Sequence, residues 1–332
     1  MGNSSSSKSA PHDEIVQHNE SLEEELASFF SDNISYARDF IEICNKHNVE
    51  IIGEDPHTVL KTLVLITEDG VEIKVDAMFL EQDNLFPSYM HHNNGGHFED
   101  ILETWNQLPS FYKSSVQEIE LQGISISQGA SYNGMGKVTI PGAFLEYGKD
   151  TPEYIKGVLI HEVGHSLDLG SVKSITNLEE FKSVINNGMT SSKGFKDIIS
   201  HEYSSEYSRW YNPKSDHFGP NQELQSLKYP SESFAEAMKI TGKMKLLGSK
   251  NAYIEMPVFN NYGMVVDVRK VNYDTWKEIN PNMAKIAEQV WDSGSKEKAS
   301  KIMQNAEYDS SLKSKPLTSS DYEKRSERYL DF

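Results

Sequence analysis

An α+β fold is the expectation, and three observations carry it. Amphipathic helical segments open the chain, two β-rich runs meet at Asp69-Gly70, and from His97 onward a helical block precedes strand patterns and a strongly capped helix. The second block thus has a helix-then-sheet order.

Taken in order, SLEEELASFF and NISYARDFIEICNKHNVEII carry apolar residues at three- and four-residue intervals, and Ser21 with Glu24 has the spacing of a capping box. In TLVLITEDGVEIKVDAMFL, Asp69-Gly70 between β-rich runs signals a hairpin. PSYMHHNNGGHFED, punctuated by Asn93, Asn94, Gly95 and Gly96, reads as a loop and domain boundary. No helical or strand spacing organises His91, His92 and His97, so they are expected in a polar loop and not in a metal cluster.

A helical pattern then runs through FEDILETWNQLPSFYKSSVQEIE, strand character appears at Ile124 and Ile126, and GKVTIPGAFL is a short strand. Gly134 and Gly136 ahead of it fit either a turn or a close backbone approach. TPEYIKGVLIHEVGHSLDLG has Thr151 as N-cap, Pro152 at the first helical position and Gly170 as stop. TNLEEFKSVINNG repeats the capping-box signature at Thr176 and Glu179, and the irregular HEYSSEYSRWYNPKSDHFGPNQ suits a pocket rim. SESFAEAMKITGKMKLLG and NPNMAKIAEQVWD predict two further helices, and the residues from Asp309 are expected to be loosely ordered.

Composition narrows the function. A net charge of −18 repels phosphate backbones and argues against a nucleic-acid partner. Cys44 is the single cysteine, so neither an internal disulfide nor a thiolate cluster is possible, and any metal must be held by His and carboxylates. No apolar run is long enough to span a bilayer, so a soluble chain without a transmembrane segment is expected. The opening MGNSSS fits the myristoylation pattern at Gly2, with Ser6 at its last position; one such chain would confer only weak membrane association. A plain Ser-rich disordered leader is the competing reading of the same residues.

Chemistry concentrates in HEVGHSLD. His161 and His165 stand one helical turn apart and can face one ion, and Glu162 beside them can take a proton from metal-bound water. Zinc is the cofactor this pattern calls for. Three protein ligands and a water are usual at a catalytic zinc, yet no third motif histidine follows. The best source is the later helix, where Glu232 and Glu236 are four apart; one can bind the metal while the other orients a ligand histidine.

HEVGHSLD followed by YPSESFAEAM resembles the anthrax lethal factor-like metalloproteases, a family that includes the clostridial Pro-Pro endopeptidases. The likeness spans roughly residues 97 to 300, and Pro230, Glu232, Phe234, Ala235 and Glu236 match its second motif. It implies a zincin-like fold, with Glu232 as third zinc ligand, Glu236 and Asp168 supporting the ligands, and Gly164 allowing close packing. It also implies that GKVTIPG is the edge strand on which a substrate backbone is laid. Where the family has an oxyanion-stabilising tyrosine seven residues before the ligand glutamate, this chain has Gln225; Tyr229 is the nearest candidate, with Tyr207 and Tyr211 behind it.

The expected organisation is a disordered leader over 1–20, an N-terminal helical and β-hairpin domain over 21–95, a zincin-like catalytic domain over 96–306 and a loosely ordered tail over 307–332. The expected function is zinc-dependent hydrolysis of peptide bonds in a protein or peptide substrate. A toxin or effector secreted by a non-classical route or delivered to host cytosol would suit the Gly2 leader, and a cytoplasmic protein would carry the same residues. Gln225 keeps open a catalytically silent binding module, and the metal helix alone would also serve hydrolysis of a nonpeptide substrate.

Overall fold

The computed structural model describes residues 11–31, 33–84, 96–123, 130–141, 152–169, 230–250, 252–259 and 265–313. Among them helices and strands are mixed, with one six-stranded and one two-stranded sheet, an α+β composition. The chain divides into two compact units, 1–108 with 113–163 and 109–112 with 164–332. No helix among the described residues is long and apolar enough to cross a membrane.

The first unit opens with α1 (His12–Ser21), α2 (Glu23–Phe29) and α3 (Ile34–Lys46). Helix α1 starts inside the stretch read as leader, because Ile15 and Asn19 are buried; Asn19 accepts from the Ile51 amide at 2.8 Å and donates to the Val49 carbonyl at 2.9 Å. Ser21 is not an N-cap: its hydroxyl donates to the His18 carbonyl at 2.6 Å, closing α1 instead of opening α2. Asn33 caps α3 by accepting from the Tyr36 amide at 3.1 Å. Asn48, at φ 55°, ends the helical path, and the VEII expected to continue it forms β1 (Glu50–Glu54).

Five more strands complete the sheet: β2 (Thr62–Ile66), β3 (Glu72–Asp76), β4 (Glu118–Gln122), β5 (Ser131–Tyr132) and β6 (Lys137–Pro141), in the order β1-β2-β3-β4-β6-β5. Strands β3, β4 and β6 run parallel and the other pairs antiparallel. Register aligns Ile51, Leu65, Ile73, Ile119 and Val138 across five strands, with Leu63, Val75, Leu121 and Ile140 beside them, all buried. The alternate residues Glu72, Glu118 and Lys137 form a polar row, where Lys137 pairs with Glu118 and Glu120 at 2.9 Å each. One face is thus core and the other wet, the two-residue period of a half-buried sheet.

The expected hairpin joins β2 to β3. Its turn is tied by the Gly70 amide to the Thr67 carbonyl at 2.8 Å, with Gly70 at φ 81° and the Thr67 hydroxyl bonded to Asp69 at 2.6 Å. After α4 (Ala77–Asn84), the helical reading from His97 holds for α5 (Gly96–Gln107) and a short α6 (Ser110–Lys113), then fails: EIELQ is β4. Pro109 interrupts the helix, and Ile119 and Leu121 alternate with half-exposed residues beside β3. His97 lies in α5 and is buried, not in a polar loop, whereas His91, His92, Ile124 and Ile126 lie outside the described residues. GKVTIPG is not the edge strand either. Strand β5 pairs outside β6 through Ser131 and Tyr132, and the turn between them uses Gly134 at φ 75° and Gly136 at φ 100°, with Asn133 accepting from the Met135 and Lys137 amides.

Helix α7 (Pro152–Leu169) matches its predicted bounds and contributes to both units. The second unit adds α8 (Pro230–Leu247), ended by Gly248 at φ 80°, and an antiparallel pair, β7 (Tyr253–Phe259) with β8 (Val265–Asn272), that the sequence reading did not anticipate. Then come α9 (Tyr273–Ile279), α10 (Pro281–Trp291) and α11 (Lys296–Gln304). Asn272 and Ser295 cap α9 and α11 by accepting from the Thr275 and Lys298 amides. Phe234, Met238, Trp276, Ala287, Val290 and Met303 form this unit's buried core. Asp309 is held by Asn282, which accepts from its amide at 2.7 Å.

Candidate metal centre

Helix α7 carries β-branched Ile155, Val158, Ile160 and Val163, residues of modest helix propensity that burial compensates. From Ile155 to Asp168 only Lys156 escapes the buried class. A helix buried all round would ordinarily be apolar, yet this one carries His161, Glu162, His165, Ser166 and Asp168 into the interior. Burying five polar side chains is costly unless something uses them.

His161, Glu162 and His165 are 8%, 6% and 5% exposed, and the candidate ligand atoms of the three lie within 4.8 Å of one another. The spacing explains the convergence: residues 161 and 165 are one turn apart, so both imidazoles rise from the same side of the helix, and Glu162 follows immediately. Two imidazoles and a carboxylate, with no thiol, are donors that a borderline divalent cation accepts. This buried group can hold a metal ion.

Asp168 is fully buried three residues beyond His165, the spacing of side-chain neighbours on a helix. Glu236 on α8 is also buried, and Lys239, three residues on along the same helix, ion-pairs with it at 3.3 Å. Glu232 occupies the first turn of α8 one turn before Glu236, and its side chain lies outside the described residues. Gly2, Tyr207, Tyr211, Gln225 and Tyr229 lie outside them too.

Lys156, which belongs to no motif, adds a charge contact at the start of the same helix. Its ammonium pairs with Asp100 at 3.2 Å and with Glu103, tying the start of α7 to α5. Burial pulls the Lys156 pKa down, but the hydrogen bond that its ammonium donates to Glu103 and the charges of Asp100 and Glu103 outweigh it and hold the ammonium above its ordinary value. No sequence pattern links partners 53 residues apart. No family model matches the chain, and neither a curated protein nor a solved structure matches it.

Proposed function

We propose that the chain is a zinc-dependent endopeptidase with a zincin-like catalytic domain, acting on protein or peptide substrates. The observation that carries this reading is the buried convergence of His161, Glu162 and His165 on one helix. His161 and His165 would hold the ion, and Glu232, by resemblance to lethal factor-like enzymes, would supply the third ligand. When bound, zinc lowers the pKa of its water and polarises the substrate carbonyl. Glu162 accepts the proton of the attacking water on a carboxylate oxygen and returns it to the leaving amine. Asp168 and Glu236 would orient the ligating side chains, and Tyr229 would stabilise charge on the carbonyl oxygen. A toxin or effector role in host cytosol, with Gly2 acylated there, extends the same proposal.

The test is zinc per chain, measured by elemental analysis on protein purified without chelators, for the wild type and Glu232→Ala. About one zinc in the wild type, lost in the variant, supports a three-ligand catalytic site. A wild type that binds none sinks it. Gln225 at the position of the expected tyrosine favours a second reading, a metal-binding module without catalysis; zinc-loaded protein that cleaves no member of a peptide library would select it.

A further inference from the structure

Helix α7 contains one glycine between its two histidines, and its surroundings are crowded. A Cβ at Gly164 would lie 2.9 Å from the Tyr112 hydroxyl oxygen, 3.4 Å from Cβ of Met238 and 3.6 Å from Cα of Ala235. The first distance is shorter than real Cβ contacts, and the others mark α8 crossing at van der Waals range. Tyr112 has no slack to withdraw. It is fully buried, its ring sits 5.1 Å from that of Trp291, and its own carbonyl accepts from the Ser166 hydroxyl at 3.3 Å. Tyr112 therefore touches α7 at residues 164 and 166, on either side of His165 in sequence.

We infer that Tyr112 is a positioning residue for the metal centre: by clasping α7 at Gly164 and Ser166 it fixes the helix's rotation at His165 and its separation from α8. Resting on the proposed metal site, the inference adds a residue to it that no motif contains. Separation matters because Ala235, which meets Gly164, lies one turn after Glu232 on α8. Rotation matters because a turn of the helix swings an imidazole away from its ion, and metal sites tolerate only small ligand displacements. The methyl of an alanine at 164 would force one or both to change, even though alanine is the better helix former.

The experiment measures cobalt(II) and zinc affinity by chelator competition, the visible absorption of bound cobalt, and thermal stability, for the full chain as wild type, Gly164→Ala, Tyr112→Phe and the double variant. Gly164→Ala should bind either metal about tenfold or more weakly, with a shifted cobalt spectrum. Tyr112→Phe in the same chain, by removing the obstructing oxygen, should restore most of the affinity and the spectrum. Unchanged affinity in Gly164→Ala, or a double variant no better than the single, overturns the inference. If Gly164→Ala does not fold, the double variant decides: wild-type-like binding supports the clasp and failure to fold or bind refutes it. A wild type that binds neither metal instead refutes the metal site itself.

Discussion

Two groups of buried histidines can be compared. His47 and His97 lie in the first unit among Glu99, Asp100 and Glu103; His161 and His165 lie in one turn of α7. Both groups have acidic neighbours. In the first, burial pulls both imidazoles below their ordinary pKa despite the nearby carboxylates, and the closest approach of His47 to Glu99 is 3.6 Å. In the second, the potential ligand atoms of two histidines and a glutamate converge within 4.8 Å, as no other group among the described residues does. Burial of histidine marks packing as readily as function; convergence of donors separates the two.

Three substitutions would break or sharpen that contrast. The largest effect is expected from Glu162→Gln, which should leave zinc stoichiometry intact and lower peptide cleavage by about 10²–10⁴-fold; a variant that cleaves at the wild-type rate removes Glu162 from the mechanism. Next, His165→Ala should release the metal, whereas His97→Ala should retain about one zinc per chain. Equal zinc loss in both would mean that the two groups are not functionally distinct.

The smallest effect is a pH dependence of folding. His47 and His97 have lowered pKa values in the folded chain, so below the unfolded value of about 6.5 the unfolded state takes up protons that the folded state does not. Stability should therefore be complete above that pH and fall as pH drops through it towards the folded values, by at most about 1.4 kcal/mol per pH unit for each histidine. Urea unfolding between pH 5 and 8 checks the slope, which should flatten when both residues are replaced by glutamine. An unchanged slope would assign it to other groups.

Local patterns were legible wherever a short stretch determined its own structure. The bounds of α7, the start of α10 at Pro281, the β2–β3 hairpin and the one-turn spacing of His161 and His165 all follow from caps, turn residues and helical period. Apart from Ser21, whose hydroxyl bonds back to His18, and the β7–β8 pair, misreadings fell where distant partners decide. EIELQ has a helix-compatible composition and became a strand because β3 and β6 flank it; VEII did so beside β2. The β7–β8 pair carries only a weak local signal, since alternation in VVDVRKV holds from Val266 to Arg269 and breaks at Lys270.

From sequence alone came the donor types, the order of the motifs and the absence of thiol ligands, since these depend on residue identity and on spacing within one helix. Tertiary structure alone decided that the three donors of α7 are buried together, that Lys156 answers Asp100 and Glu103, and that the Tyr112 hydroxyl occupies the space beside Gly164. Such contacts join residues tens of positions apart, and their energies depend on distances that no local pattern encodes.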